Sequence, residues 1–98
     1  KEIFDFLCLI SRETSSEAIV CGGSSMQILD TTDVLQKIKI PCLILTGSED
    51  IVVSKEESLF LYNSIKNALH IEIKGVGHAP YCENAMEFNE KINSFLLT

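Results

Sequence analysis

The sequence has no cluster of lysine and arginine, and basic residues are scarce overall. Its 98 residues include 8 Lys and Arg against 14 Asp and Glu, which gives a formal net charge of −6 at pH 7. Proteins that bind nucleic acid neutralise its phosphates with clustered basic side chains. We therefore expect neither nucleic acid nor an anionic membrane to be a partner.

The sequence also lacks a long apolar run. Its longest apolar stretches, such as residues 40–46, fall far short of the ~20 residues that span a bilayer, so we expect a soluble protein. Residues 1–12 have neither the basic start nor the small-residue cleavage site of a signal peptide. Because 98 residues make one modest domain at most, and Lys1 is not a methionine, we expect a piece of a longer chain.

Cysteines in metal-binding or redox spacing are absent. The four cysteines are irregularly spaced and form no C-x-x-C pair; they are Cys8, Cys21, Cys42 and Cys82. Disulfide frameworks belong mostly to small secreted domains, so we expect reduced thiols in a cytoplasmic protein. None of the four lies in a motif typical of a nucleophile or a metal ligand, and we expect no metal site.

The first third of the chain predicts two helices. Apolar residues at i, i+3, i+4 and i+7 predict a helix over residues 2–11; they are Ile3, Phe6, Leu7 and Ile10. Thr14 and Glu17 have the spacing of a capping box and predict the start of a second helix. Gly22 and Gly23 weaken this second prediction, since glycine in a helix interior costs ~1 kcal/mol relative to alanine.

The rest of the chain alternates between strand and helix patterns. Residues 40–46 are a continuous apolar run, which is typical of a strand buried on both faces of a parallel sheet. The predicted elements are a helical turn near residues 34–38, a strand over 40–46, a helix from the capping box of Ser54 and Glu57 to about Asn67, a strand over 69–73 and a helix from about Asn84. The predicted fold class is α/β, a βαβ unit with parallel strands flanked by helices in the order α-α-β-α-β-α.

The two loops that follow the strands bring an acid and a histidine to one edge of the sheet. A strand, a crossover helix and a second strand form a right-handed unit with parallel strands, and open α/β sheets bind ligands at the carboxyl ends of such strands. Asp50 follows the first strand and His78 follows the second. Each residue alone is explained as a turn or loop residue. Together they favour a catalytic pair, because a histidine base needs a carboxylate on its other ring nitrogen.

The residues around this pair resemble a known family. Residues 38–50, IKIPCLILTGSED, are similar to the I-x-x-P-x-L-x-x-x-G-x-x-D segment of α/β-hydrolase-fold enzymes. Residues 75–80, GVGHAP, followed by Glu83, are similar to the family's G-x-G-H-x-P-x-x-E ending. The resemblance implies that Asp50 is the acid and His78 the base of a catalytic triad, and that no metal or organic cofactor is required.

The resemblance also implies a domain organisation and a substrate class. Residues 1–32 correspond to the last helices of a cap or lid, and residues 33–98 to the C-terminal βαβα part of the hydrolase core. Substrates in such families are small esters, lactones, thioesters, or ketones cleaved at a C–C bond.

The nucleophile of such a triad is not found. The family carries its serine on a G-x-S-x-G elbow between a strand and a helix. Ser24 has Met26 in place of the second glycine, and Ser25 has Gln27 there. Ser25 also lies too close to Asp50 for the intervening helix, strand and cap. We therefore predict a C-terminal fragment of a hydrolase that supplies the acid and the base but not the nucleophile, and that is inactive alone.

The predicted partners follow from this incompleteness. In the intact enzyme the partner is a small-molecule substrate. The alternative is a short non-catalytic association module, because two strands leave sheet edges and apolar faces uncovered, and such surfaces recruit partners. We then expect a homodimer or a complex with the N-terminal half of the same fold.

Other polar residues receive simpler interpretations. Glu83 is expected to complement the dipole of the last helix, and His70 to be exposed on the polar face of its strand. Glu49 is a competing candidate for the acid. Tyr81 is a better candidate for lining a pocket than Tyr62, with packing as the alternative for both.

Overall fold

The computed structural model describes residues 1–98. Its elements are α1 (Glu2–Glu13), α2 (Ser16–Ile28), α3 (Thr32–Leu35), β1 (Cys42–Gly47), α4 (Lys55–Ser64), β2 (Ala68–Ile73), α5 (Pro80–Glu83) and α6 (Ala85–Leu96). The α/β class and the predicted order are confirmed; the short helix α3 overlaps the helical turn predicted near residues 34–38, and the short helix α5 was not predicted. The chain divides into two compact units, residues 1–31 and residues 32–98. The correspondence of the first helices to a cap stays a prediction.

The second helix begins differently from the predicted capping box. Ser15 is its N-cap, and the Ser15 hydroxyl accepts a hydrogen bond from the Ala18 N–H at 3.0 Å. Thr14 ends α1 instead, where its hydroxyl donates to the Ile10 carbonyl at 3.1 Å. The capping box of Thr14 with Glu17 is therefore wrong, because the preceding helix already uses the threonine.

Both glycines of the first unit lie inside α2. The helix continues through Gly22 and Gly23, and no atom lies within 4 Å of the position that a Cβ would take at either residue. No residue of α1 or α2 is buried. The apolar face of α1 is thus exposed, with Phe6 59% accessible.

The two strands pair in parallel, as predicted. Cys42 lies opposite Ala68 and Gly47 lies opposite Ile73. The expectation that the first strand is buried on both faces is wrong for this chain, because in β1 only Gly47 is buried and the other residues are half-buried. A sheet of two strands has both outer edges open, although α4 and α6 each contact both strands.

Helix α4 begins where its capping box predicts. The Ser54 hydroxyl accepts from the Glu57 N–H at 3.2 Å, and the Glu57 carboxylate accepts from the Ser54 N–H at 3.1 Å. The helix ends at Ser64 rather than near Asn67. The reason is that Ile65 takes an extended backbone (φ −103°, ψ 122°), and its side chain is buried.

The core of the second unit is small and reaches the edge where both strands end. It consists of buried apolar side chains, which are Leu35, Ile65, Ile73 and Val76. Val76 lies in the loop after β2. No helix of the chain combines the length and apolar character needed to cross a membrane.

Candidate active site

The candidate site lies on two loops at the carboxyl ends of the strands. The acid loop, residues 48–53, follows β1, and the histidine loop, residues 74–79, follows β2. Because the strands are parallel, both loops leave the same edge of the sheet. Asp50 lies in the first loop and His78 in the second, so the topology brings together the two residues that the sequence singled out.

Backbone hydrogen bonds fasten the acid loop to the end of β2 and to the histidine loop. The Ser48 N–H donates to the Ile73 carbonyl at 2.9 Å, and the Glu49 N–H donates to the Val76 carbonyl at 2.8 Å. In the other direction, the Gly75 N–H donates to the Ser48 hydroxyl at 2.8 Å. These three hydrogen bonds involve neither Asp50 nor His78, and they fix the separation of the two loops.

Gly47 allows this close approach. A methyl group on its Cα would overlap the carbonyl oxygens of Val76 and Gly77 and would lie 2.8 Å from the carbonyl carbon of Val76. Gly75 turns the chain out of β2 with φ +78°, a left-handed conformation that glycine adopts without steric cost. Glycine is thus required at both positions for different reasons.

The two carboxylate oxygens of Asp50 have separate partners. Oδ1 accepts from the Val52 N–H at 2.8 Å and from the Val53 N–H at 3.1 Å, which is the arrangement of an Asx turn. Oδ2 lies 3.0 Å from Nδ1 of His78. The turn interpretation and the pair interpretation of Asp50 are therefore compatible, since the turn orients the carboxylate that faces the histidine.

The electrostatics of the pair fix the direction of its hydrogen bond. The hydrogen bond with His78 lowers the pKa of Asp50, the Val53 N–H lowers it further, and burial opposes both. An ionised carboxylate can only accept, so Nδ1 of His78 donates, and in the neutral imidazole Nε2 is the acceptor. The Asp50 side chain is 10% exposed and the His78 side chain is 56% exposed, so the histidine is the accessible member of the pair.

Glu83 contacts the histidine loop, and the expectation that it complements a helix dipole is wrong. Glu83 ends α5, and its carboxylate turns back to accept from the Gly77 N–H, 3.0 Å from each oxygen. Its Oε2 also accepts from the Ala79 N–H at 3.2 Å. These two donors flank His78. The only sequence signal for this role was the glutamate in the resembled ending, five positions after the histidine.

His70 is half-buried, which contradicts the expectation of solvent exposure. Its Nε2 lies 2.8 Å from the Thr46 hydroxyl on the neighbouring strand. The Tyr62 ring lies beside it, with ring centroids 6.5 Å apart. The alternating pattern of β2 predicted correctly that His70 lies on the polar face of the strand. On that face Thr46, which lies diagonally opposite on β1, is its hydrogen-bond partner.

Neither Glu49 nor Tyr81 contributes to the pair. The Glu49 carboxylate accepts a hydrogen bond from the Ser48 hydroxyl at 3.4 Å, whereas the carboxylate that contacts His78 is that of Asp50. The Tyr81 side chain is 58% exposed and packs edge-on against Phe88, with ring centroids 6.2 Å apart. Packing is thus the observed role of Tyr81.

An open, mostly apolar cavity adjoins the pair. Its volume is about 190 Å³, and its lining includes Ile44, Leu45, Leu61, Pro80, Asp50 and His78. Apolar walls with a few polar groups are typical of small-molecule sites.

Ser24 and Ser25 lie inside α2. A nucleophile elbow needs its serine on a sharp turn between a strand and a helix, and neither residue has that setting. The prediction that the nucleophile is not on this chain stays a prediction.

Comparisons with known proteins agree on the kind of fold. A model of the serine hydrolase (FSH1) family matches residues 11–87. A protein of Pseudomonas syringae pv. syringae (strain B728a) that is named as a carbamate hydrolase, RutD, is 26% identical over 74 residues, which cover 76% of this chain. The crystal structure of the enol-lactonase from Burkholderia xenovorans LB400 matches with a TM-score of 0.67 over 72% of this chain at 24% identity. A thermophilic esterase from Thermogutta terrifontis matches with a TM-score of 0.66 over 68% of this chain at 28% identity.

The chain is much shorter than these relatives. The matches cover 29% of the curated relative, 27% of the enol-lactonase and 25% of the esterase. The shared region therefore corresponds to part of an α/β-hydrolase fold.

Proposed function

Because the chain belongs to the serine hydrolase (FSH1) family, we propose that it is the C-terminal portion of an α/β-hydrolase and supplies the acid and the base of a Ser-His-Asp triad. Asp50 is the acid and His78 is the base. The substrates are small carbonyl compounds, namely esters, lactones, thioesters, or ketones cleaved at a C–C bond. A cytoplasmic location belongs to the same proposal, and the free state of all four cysteines supports it.

One observation carries the proposal: Nδ1 of His78 lies 3.0 Å from Oδ2 of Asp50. The carboxylate holds the imidazole in the tautomer with the proton on Nδ1, and this leaves Nε2 free to accept a proton. In the intact enzyme a serine hydroxyl attacks the substrate carbonyl and gives its proton to Nε2. The histidine then returns that proton to the leaving group, while Asp50 stabilises the imidazolium in between.

In this proposal the attacking serine and the oxyanion donors belong to the part of the enzyme that lies outside residues 1–98. One oxyanion donor is the backbone N–H after the nucleophile, and the other lies in a loop that precedes the nucleophile in sequence. Removing one such donor costs ~10²–10³-fold in kcat. We therefore expect the chain alone to be inactive, and the relatives' length supports this, since the chain spans only 25–29% of them.

A graft onto the Thermogutta terrifontis esterase tests the pair. Residues 33–98 replace the matching quarter of that enzyme, which is chosen because it is thermophilic. We expect the graft to hydrolyse p-nitrophenyl esters. His78→Ala should lower kcat by about 10³-fold or more, and Asp50→Asn by a similar factor, because the tautomer is lost. Glu90→Ala on the exposed surface of α6 is the control and should leave kcat unchanged.

Two results contradict the proposal. The first is a folded graft, verified by circular dichroism, in which Asp50→Asn or His78→Ala keeps full activity. The second is ester hydrolysis by the isolated chain that disappears in Ser24→Ala or Ser25→Ala, since that would place the nucleophile in α2.

A second candidate function is association without catalysis. No residue of α1 or α2 is buried, and beside the site Ile51 is 98% and Val52 65% exposed. Apolar surface of this extent is typical of interaction sites. We propose that in this case the chain forms a homodimer or binds the N-terminal half of the same fold.

Light scattering tests this second candidate. At tens of micromolar a dimer is expected, and Phe6→Ser on the exposed face of α1 should weaken it. A monomer over the whole concentration range contradicts self-association.

A further inference from the structure

We infer that Glu83 is a positioning residue for His78: its carboxylate holds the backbone on both sides of the histidine, so that the imidazole meets Asp50. This inference rests on the proposed function, in which His78 is the base. It assigns to Glu83 no contact with the substrate.

The contacts of the carboxylate surround the histidine in sequence. Both oxygens of Glu83 lie 3.0 Å from the Gly77 nitrogen, and Oε2 lies 3.2 Å from the Ala79 nitrogen. Hydrogen bonds from backbone N–H groups to a carboxylate are charge-assisted and stronger than neutral ones. The backbone on each side of His78 is thus tied to one side chain.

Helix α5 closes this arrangement into a ring. The Glu83 N–H donates to the Ala79 carbonyl at 3.0 Å, while the Ala79 N–H donates to the Glu83 carboxylate. Pro80 occupies the first position of the helix and is buried. Glu83 therefore reaches the histidine loop because the single turn of α5, which begins at Pro80, brings its side chain back toward Ala79 and Gly77.

Gly77 provides an independent observation. A Cβ on this residue would lie 3.2 Å from Oε2 and 3.4 Å from Oε1 of Glu83. The carboxylate fills the space beside Gly77 that a side chain would otherwise take. The glycine before the histidine and the glutamate after it are thus complementary in shape.

The histidine needs this support because its ring has little other restraint. The His78 side chain is 56% exposed, and its ring hydrogen bond is to Asp50. An exposed ring with a single hydrogen bond depends on its backbone for orientation. Loss of the hydrogen bonds between Glu83 and the backbone should therefore allow the His78 ring to lose its orientation toward Asp50.

The tautomer of His78, measured by ¹⁵N NMR of the neutral imidazole, reports this positioning without any hydrolysis. Three variants separate hydrogen bonding from charge. Glu83→Ala removes both. Glu83→Gln removes the charge and keeps one acceptor oxygen at the same reach, but it places an NH2 group where the second oxygen accepts from the Gly77 N–H. Glu83→Asp keeps the charge but is one methylene too short. Glu90→Ala removes an exposed carboxylate from α6 and serves as the control.

We expect the ratio of Asp50-bound to unbound His78 to fall roughly fivefold in Glu83→Ala, the factor that ~1 kcal/mol of lost hydrogen bonding produces. Glu83→Asp should resemble Glu83→Ala, and Glu83→Gln, which keeps one acceptor oxygen, should lie between Glu83→Ala and the wild type. Gly77→Ala should also lower the ratio, because its methyl group displaces the carboxylate.

Two outcomes overturn the inference. One is an unchanged His78 tautomer in Glu83→Ala with the amide signals of both strands intact. The other is the reverse order of the two conservative variants, which would show that charge and not the hydrogen bonds acts on the histidine. If Glu83→Ala unfolds, the comparison of Glu83→Gln with Glu83→Asp still decides. Because the ester assay on the graft is separate, failure of catalysis and failure of positioning are distinguished.

Discussion

Replacing Gly47 by alanine tests whether the close approach of the two loops holds the candidate site together. Gly47 is the last residue of β1 and is buried. Its Cα faces the backbone of the histidine loop, where the carbonyl groups of Val76 and Gly77 lie. The change adds a single methyl group and alters the chemical identity of no functional side chain.

The magnitude follows from the distances. The added methyl would overlap the carbonyl oxygens of Val76 and Gly77 and would lie 2.8 Å from the carbonyl carbon of Val76, whereas ordinary contacts of a Cβ begin at 3.4 Å, so the two backbones must part by more than about 0.6 Å. This motion stretches the hydrogen bonds that Ser48 and Glu49 donate across the gap, now 2.9 and 2.8 Å long. Two such bonds at ~1 kcal/mol each, with partial exposure of the buried Val76, give a loss of about 2–4 kcal/mol.

Unfolding by urea and by heat, followed by circular dichroism, measures this loss. For a chain of this size it should lower Tm by roughly 8–30 °C. The NMR tautomer of His78 should report a weakened contact with Asp50 in the fraction that stays folded. Gly22→Ala is the matched control, since no atom lies within 4 Å of its Cβ position; in the interior of α2 it should stabilise the helix by ~1 kcal/mol.

A Gly47→Ala variant as stable as the wild type would refute this reasoning. So would a destabilised variant in which the contact of His78 with Asp50 persists in the folded state. The first result would mean that the loops can separate without cost, and the second that the pair does not depend on their spacing.

Three further predictions concern single side chains. Because the pKa of Asp50 is lowered in the folded chain, the stability that the ionised carboxylate contributes is present above the unfolded pKa and is lost as the pH falls through the folded one. The unfolding free energy should therefore decrease below about pH 4, and urea titrations should show a smaller decrease in Asp50→Asn. Ser54→Ala should cost ~1 kcal/mol in urea unfolding, since it removes the cap of α4, and Glu57→Gln should cost less because the hydroxyl remains. Ser48→Ala frees the Gly75 N–H, and amide exchange at Gly75 should accelerate roughly fivefold, as expected for a lost hydrogen bond of ~1 kcal/mol.

Features that depend on neighbouring residues were predictable from the sequence. The capping box of Ser54 and Glu57 closes within one helical turn, and the structure confirms it. The prediction failed at Thr14 because a second helix end competes for the same hydroxyl. Local patterns identify which groups can form a bond, but not which of two local partners obtains it.

The meeting of Asp50 with His78 was predictable for a different reason. Parallel strands joined by a helix place their following loops at one edge, so topology alone brings together residues 28 positions apart. The sequence by itself thus determined the two strands, the four longer helices, their order and the two residues of the candidate site.

Only the tertiary structure decided how this pair is held. The contact of Gly47 with the histidine loop, the bond between Thr46 and His70, and the return of Glu83 to the backbone around His78 all depend on the relative placement of separate segments. These contacts form only when separate chain segments come within a few ångströms of each other. No periodicity or motif spacing in the sequence specifies such distances. The sequence determines which groups are available, and packing determines which of them meet.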